Sequence, residues 1–349
     1  VASRSQSCPP PHGNGKRRAH GALRQIAVAL EVESSGDKRC KEAILSMTVL
    51  AILVALFVER FLQQHRPLRR HRWFDVYCRQ VSGIAALRGP MVRPSGAFAA
   101  LLPPLLVIAW LQAFFDDLGL LFAFAFATLV LLNSLGPRDL GDDTQAFVNA
   151  RDTGQDRRAQ VLADDLCILE PPEREPHRSF AVAQAVVVLA ARRLVGPIFL
   201  FLVFGALGAA AYRLAHLLAG RLQLLDCPVE MRRGCDRLCF LADWVPARIT
   251  AAGYAVAGNF DAVAQAWGAS SGTPAEGVPL DEAEALLART GIAALGSAPG
   301  DADPRVDSEF ASAEIAAPPF VEDALTLVWR SLAIGVALIA GGGLVAALA

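Results

Sequence analysis

A series of apolar runs, each about as long as a bilayer is thick, constrains this chain more than any other feature. A hydrocarbon core of about 30 Å needs about 20 mostly apolar residues in an α-helix, and backbone polar groups must be satisfied within the spanning structure. The runs occupy residues 44–62, 96–115, 118–135, 194–219 and 325–349, with a shorter one at 180–191. The sequence therefore predicts an all-α, multi-pass helical integral membrane protein. We expect about four to six membrane helices plus an interfacial or re-entrant helix.

Composition agrees with this class and excludes others. Hydrophobic residues make up 54% and charged residues 19% of the 349 residues, whereas soluble domains average roughly 45–50% and about 25%. A net charge of −1 provides no basic surface, so we predict no nucleic-acid partner. The seven cysteines are scattered through a long chain and do not form the pattern of a secreted disulfide framework.

Two segments differ in composition from the predicted membrane domain, residues 47–270. All the lysines lie within residues 1–46, which are rich in Pro, Gly, Ser and Arg, and an apolar run starts at Met47. We interpret residues 1–46 as an extension upstream of a natural start at Met47, or else as a disordered tail. Residues 271–322 are predicted to be a flexible, acidic Gly/Ala/Pro-rich loop with one helical island near 280–292. Residues 323–349 form the predicted C-terminal membrane helix.

The distribution of arginines predicts which side of the membrane each connecting segment faces. Residues 60–95 contain many arginines and a single acid, Asp75, and short loops of this kind stay in the cytoplasm. The Asp116-Asp117 turn, which joins two runs as a helical hairpin, is then expected outside, and residues 136–193 return to the cytoplasm.

Beyond that point two topologies remain open. If residues 180–219 cross the membrane once, residues 220–323 are external. If Arg192-Arg193 breaks this stretch into two segments, residues 220–323 are cytoplasmic.

Motif searches mainly exclude enzyme classes. No lysine follows Lys41, so the Gly-Lys-Ser/Thr of a P-loop is missing. Ser270 lies in "GASSG", but no strand precedes it as a nucleophile elbow requires. Cys227, Cys235 and Cys239 are spaced unlike paired zinc ligands, and we interpret them as buried helix cysteines. We predict no metal and no cofactor.

Charged residues at the ends of apolar runs are more informative. Glu59 lies where the first run meets the cytoplasm, and ionisable groups at such depth are retained for function or pairing. The alternative is an interfacial pair with Arg60. Arg138 and Asp139 follow the third run directly. They belong either to the capped start of an amphipathic helix at about 143–166 or to a binding site for an anionic group.

The stretch "DWVPARITAAGYAVAGNF" begins with polar residues and continues as an apolar helix. Asp243 is predicted to be an N-cap, with Pro246 in the first turn, where amide hydrogens have no partners. Trp244 suits the interfacial belt, and Arg248 lies one turn on. The pattern favours an interfacial or re-entrant helix whose first turns carry charged residues. Both a structural and a functional role of these residues remain open.

Four stretches together resemble the AmpE family, within the wider AmpE/CobD (CbiB-like) membrane superfamily. They are "LVALFVERF" (53–61), "LGPRDL" (135–140), "RRLVGPIFLFLVFGALGAAAYRL" (192–214) and "DWVPARITAAGYAVAGNFDAVAQAWGAS" (243–270). The resemblance implies a multi-pass inner-membrane protein of a Gram-negative bacterium that modulates β-lactamase induction in response to β-lactams. It also implies a pathway partner, a cytoplasmic amidase that cleaves anhydromuramyl peptides in cell-wall recycling. No defined enzymatic activity follows from it.

The CobD branch implies an alternative, an amide-forming enzyme that joins an aminoalcohol phosphate to a corrinoid acid in cobalamin synthesis. By this resemblance Glu59, Arg138, Asp139, Asp243 and Arg248 occupy polar motif positions, with Asp243 where that branch usually has Asn. However, "HRSFAVAQAVVVLAARRLVGP" lacks the acidic and asparagine-rich box expected of a synthase. We predict that these five residues form a polar pocket at the cytoplasmic edge of the bundle, with Trp244 and Pro246 in the same motif.

Overall fold

The computed structural model describes residues 47–58, 74, 76–81, 95–135, 140–167, 170–175, 177–224, 228–268, 282–296 and 320–348. Within these ranges the regular structure is helical, as the sequence predicts. Residues 1–46 and most of the predicted loop at 271–322 lie outside the described residues. The helices are α1 (Met47–Val58), α2 (Ser95–Leu118), α3 (Leu120–Ser134), α4 (Leu140–Asp152), α5 (Asp156–Leu166), α6 (His177–Ala190), a π-helical turn (Ala191–Val195), α7 (Gly196–Leu224), α8 (Val229–Ala257), α9 (Phe260–Gly268), α10 (Glu282–Ala294) and α11 (Phe320–Leu348).

Three of the described helical stretches are long and apolar enough to cross a membrane: Gly96–Leu118, His177–Leu224 and Val321–Gly342. The helices Met47–Val58 and Leu120–Ser134 are shorter but also apolar. Large apolar side chains are exposed on the outer faces of α2 and α3; they are Phe98, Leu102, Leu106, Val107, Trp110, Phe114, Leu120, Leu121, Phe122 and Leu129. A soluble monomer rarely exposes so much contiguous apolar surface. The chain is therefore a membrane protein.

Glycine 205 divides α7 into two arms. Its backbone angles, φ 66° and ψ −154°, are not helical and lie in a region that is essentially restricted to glycine. In a straight helix Gly196 and Tyr212 would be about 24 Å apart. Instead the Tyr212 ring lies directly against the Gly196 backbone. The arm after Gly205 therefore folds back along the arm before it.

The sequence left open whether residues 180–219 cross the membrane once or break at Arg192-Arg193. Residues 191–195 form a π-helical turn that continues α6 into α7 with αR backbone on both sides, so the reversal is at Gly205 and not at the two arginines. The apolar residues around Gly205 give no polar signal of a reversal.

Helix α8 crosses this hairpin instead of running along it. Near its start, Met231 and Cys235 pack with Leu218 and Leu222 of the second arm. Near its end, the Tyr254 hydroxyl donates a 2.7 Å hydrogen bond to the Val187 carbonyl in α6. Both contacts lie on the side of the hairpin away from Gly205. The middle of α8, which carries Asp243, therefore faces both arms.

The predicted N-cap at Asp243 is wrong, because α8 is one helix from Val229 to Ala257 and Asp243 lies in its middle. Pro246 is inside the helix, so the Ala242 carbonyl has no amide partner there. The Pro246 carbonyl itself accepts a 2.8 Å hydrogen bond from the Thr250 hydroxyl.

Of two other predicted elements, one needs correction and one is confirmed. The single amphipathic helix at 143–166 is two helices, α4 and α5, separated by a turn in which Gly154 has φ 66°. The helical island predicted near 280–292 is present as α10. Its residues Leu287 and Ile292 are buried in the largest hydrophobic cluster of the described residues.

We predict that Gly205→Ala destabilises the protein by about 1–3 kcal/mol, because alanine is strained at this backbone conformation. A steric clash is not the cause of this destabilisation, since the nearest atom to a Cβ at residue 205 is the Gln112 amide nitrogen at 3.9 Å. The measurement is the thermal unfolding midpoint of the purified protein in detergent.

Gly220→Ala is the matched control on the same helix. Gly220 has no positive φ and nothing within 4 Å of a Cβ, so alanine there should stabilise by roughly 0.5–1 kcal/mol. Equal shifts in the two variants would contradict a reversal at Gly205.

Candidate functional site

The site is built around the Asp243 carboxylate, which is 5% exposed. Its Oδ1 accepts a 2.5 Å hydrogen bond from the Tyr212 hydroxyl and lies 3.1 Å from His216 Nε2. Tyr212 and His216 are one turn apart on the second arm of α7, with ring centroids 4.5 Å apart. One oxygen of Asp243 is therefore bonded to two groups from a single helix face.

The other carboxylate oxygen faces the first arm. Arg192 Nε, in the π-helical turn, is 3.5 Å from Asp243 Oδ2. The same guanidinium pairs through Nη2 with the carboxylate of Glu284 in α10, which is also buried. Arg192 thus joins two buried acids on two different helices. We call Arg192, Tyr212, His216, Asp243 and Glu284 the ion network.

A small cleft opens beside the ion network, where the π-helical turn, α8 and α10 meet. Its lining residues are Ala191, Arg192, Asp243, Pro246, Ala247, Ala283, Glu284 and Leu287. Its apolar members have small or compact side chains.

The environment keeps Asp243 ionised. Burial alone raises the pKa of a carboxyl group. The hydrogen bond and charge of His216, the Tyr212 hydroxyl and the charge of Arg192 outweigh burial, so the pKa of Asp243 lies below its ordinary value. The network therefore contains two acids held against an arginine, inside an apolar bundle.

Two further ion pairs flank the network. Arg193 Nη1, next to Arg192, lies 3.3 Å from Asp143 Oδ2 in α4. Arg248 Nη2 lies 3.6 Å from Glu282 Oε1 in α10. The π-helical turn is thereby tied to α4, and α8 is tied to the start of α10.

The predicted site residues have different outcomes. Glu59, Arg138 and Asp139 lie outside the described residues. Asp243 is at the centre of the ion network, and Pro246 lines the cleft. Arg248 does not contact Asp243, because it stacks over the Trp244 ring at 3.8 Å and bonds the Trp244 carbonyl at 3.0 Å.

Sequence reasoning missed four members of the network: Arg192, Tyr212, His216 and Glu284. A usable signal was present for two of them. Tyr212 and His216 both have polar groups at the ends of their side chains and lie four positions apart within an apolar run. This spacing places them on one helix face. Arg192 was considered only as a helix breaker, and Glu284 was assigned to a loop.

The other chemical candidates that lie among the described residues form no second site there. Cys235 and Cys239 are buried in α8 with free thiols, and Cys227 and Ser270 lie outside the described residues. Within the ranges that the structure describes, no group of three or more His, Cys, Asp or Glu side chains is arranged to hold a metal ion.

The fold and the site together define an all-α membrane protein with a buried ion network between its helices. The AmpE family model, described as "Regulatory signalling modulator protein AmpE", matches residues 47–275, which is more than half of the chain. The chain belongs to the AmpE family, and it is a regulatory signalling modulator of the membrane. No curated protein and no solved structure shows a significant match to it.

We predict that Tyr212→Phe lowers the free energy of unfolding by about 1.5–3 kcal/mol, because it removes a hydrogen bond to a charged acceptor. Tyr254→Phe is the matched control, since Tyr254 is equally buried but bonds a neutral carbonyl. It should cost about 1 kcal/mol. Unfolding of the purified protein in detergent measures both.

The same substitution made in an Asp243→Asn background separates the charge from the packing. With a neutral acceptor, the Tyr212→Phe penalty should fall to about 1 kcal/mol. An unchanged penalty would mean that the hydroxyl acts independently of the Asp243 charge.

Proposed function

We propose that this protein is an inner-membrane signalling modulator that links cell-wall (muropeptide) recycling to β-lactamase induction. Membership of the AmpE family is the observation that carries the proposal. The geometry adds a place where a signal could act. Asp243, Arg192 and Glu284 connect three helical segments through buried charges, and such interactions are strong in an apolar environment.

The ion network suits a modulator because one residue joins two buried acids on different helices. Arg192 contacts Asp243 in α8 and Glu284 in α10. A change at this guanidinium alters both ion pairs together. Switching by a local change of charge at a packed interface is a known mode of regulation.

The proposal places the protein in the bacterial inner membrane as a multi-pass protein. Asp116 and Asp117, which lie in the last turn of α2 just before the connection at Gly119, are outside, and the ion network is on the cytoplasmic side. The Asp143–Arg193 pair supports this arrangement, because α4 follows α3 at the end opposite that turn. The pathway partner is a cytoplasmic anhydromuramyl-peptide amidase, and the lipid bilayer covers the exposed apolar faces.

A second candidate function is a CobD/CbiB-like enzyme that forms an amide between an aminoalcohol phosphate and a corrinoid acid. One observation favours it: carboxylates, an arginine and a histidine converge beside a cleft, as they do in active sites. The missing acidic box before α7 disfavours it. Both candidates place function at the ion network.

Gene deletion tests the two candidates in parallel. We expect deletion to change the induction of β-lactamase by a β-lactam and to leave corrinoid production unchanged. Reporter β-lactamase activity and corrinoid content are measured in the same cultures. A change confined to corrinoid production would reject the proposed function and favour the enzyme.

Complementation then assigns the function to the ion network. Asp243→Asn should accumulate in the membrane but fail to restore normal induction, because it removes the central charge. Asp261→Asn, at an exposed position in α9, is the matched control and should complement fully. Full complementation by Asp243→Asn would exclude the network from the function.

A further inference from the structure

Helix α8 lies across the α7 hairpin at a nearly constant distance from its tip. Leu218 and Leu222, which pack against the start of α8, are roughly 20–26 Å from Gly205 along the second arm. Val187, which is bonded to Tyr254 near the end of α8, is roughly 27 Å from Gly205 along the other side. The hairpin belongs to a stretch apolar enough to cross a membrane. Helix α8 therefore runs roughly parallel to the membrane plane.

The depth of α8 is the depth at which α2 enters the membrane. Ala97 and Leu101 lie in the first turns of the candidate span Gly96–Leu118. They pack in one cluster with Met231 and Cys235 of α8. A helix at this level lies at the boundary between the lipid headgroups and the acyl chains.

The exposed side of α8 at this level combines arginines with apolar side chains. Arg233 and Arg237 are exposed. Leu241, Trp244 and Val245 follow them and are 67%, 43% and 36% exposed. Steps of three and four residues place all five on one side of the helix, and we call them the outer face of α8. Basic and apolar side chains together on a helix in the membrane plane are typical of a lipid-binding surface.

The charge around the outer face is positive. The segments that meet here contain five arginines and two acids among their described residues: Arg79, Arg221, Arg232, Arg233, Arg237, Glu230 and Asp236. Arg233 pairs with Glu230 at 2.7 Å, but both side chains are exposed, and such pairs contribute little. Arg237 forms no ion pair with the described part of the chain. The excess of arginine favours an anionic ligand.

We propose that the outer face of α8 binds an anionic phospholipid of the surrounding leaflet. Arg233 and Arg237 contact the headgroup phosphate, which guanidinium groups bind strongly. Leu241 and Val245 lie against the acyl chains, and Trp244 lies at the boundary that tryptophan prefers. A zwitterionic headgroup carries its own cation beside the phosphate, so an anionic headgroup gains more from the two arginines. This site is separate from the ion network and does not depend on the proposed function.

Quenching of tryptophan fluorescence by brominated lipids tests the proposal. The full-length protein is reconstituted in phosphatidylcholine vesicles with a minor fraction of phosphatidylglycerol. Bromine is placed in the acyl chains of the phosphatidylglycerol or of an equal amount of the phosphatidylcholine. The quenching that Trp244→Phe removes is the signal from the outer face. Phosphatidylglycerol should be preferred there about 20-fold, because each arginine near an anionic membrane contributes about 5-fold.

Two double variants locate the preference. Arg233→Gln with Arg237→Gln should reduce the preference for phosphatidylglycerol to near equality. Arg157→Gln with Arg158→Gln is the matched control, because it removes the same charge from exposed positions in α5. It should keep the parent preference. Since all four arginines are exposed, both variants should unfold at about the same temperature as the parent protein.

Four results would overturn the inference. Absence of Trp244 quenching by either lipid would show that the outer face faces water or a protein partner. Equal quenching by the two lipids would remove the preference for an anionic headgroup. An equal loss of preference in the two double variants would assign it to net charge. Loss of the preference on adding soluble glycerol 1-phosphate would show that the ligand is a free phosphate and not a lipid.

Discussion

The arrangement of the helices depends on keeping one carboxylate ionised inside an apolar bundle. An isolated charge in such surroundings is very costly unless it is paired and hydrogen-bonded. Asp243 meets this requirement with Tyr212, His216 and Arg192. These three residues come from two stretches of one long apolar segment. That segment can supply them together only if it reverses direction, as it does at Gly205.

The irregular features of the helices each contribute to the pairing of Asp243 with its partners. The π-helical turn carries Arg192 toward Asp243 and Arg193 toward Asp143. Helix α8 crosses both arms, so its middle is near residues of each. Helix α10 brings Glu284 to the free side of Arg192. Irregular helical backbone of this kind is often found at functional sites, and here the irregularities converge on one group.

The sequence predicted the helical class and most of the apolar helices because a bilayer imposes a simple requirement on length and composition. It also singled out Asp243, which the structure places at the centre of the ion network. It could not predict the partners of Asp243, because pairing between α7, α8 and α10 depends on packing between segments far apart in the chain. The N-cap prediction failed because an aspartate followed three residues later by a proline is typical of a helix start, whereas here both residues lie inside one helix. Gly205 gave no signal, since apolar residues surround it on both sides.

The close contact between Gly196 and Tyr212 has a consequence for how this chain can change in length. The two arms are aligned only by the number of residues between the π-helical turn and Gly205, and between Gly205 and His216. Removing or adding one residue in either arm would rotate the residues beyond it by about 100° and move them by about 1.5 Å along the axis. Arg192 or His216 would then point away from Asp243. The hairpin therefore tolerates substitution of many apolar residues for one another, but not insertions or deletions.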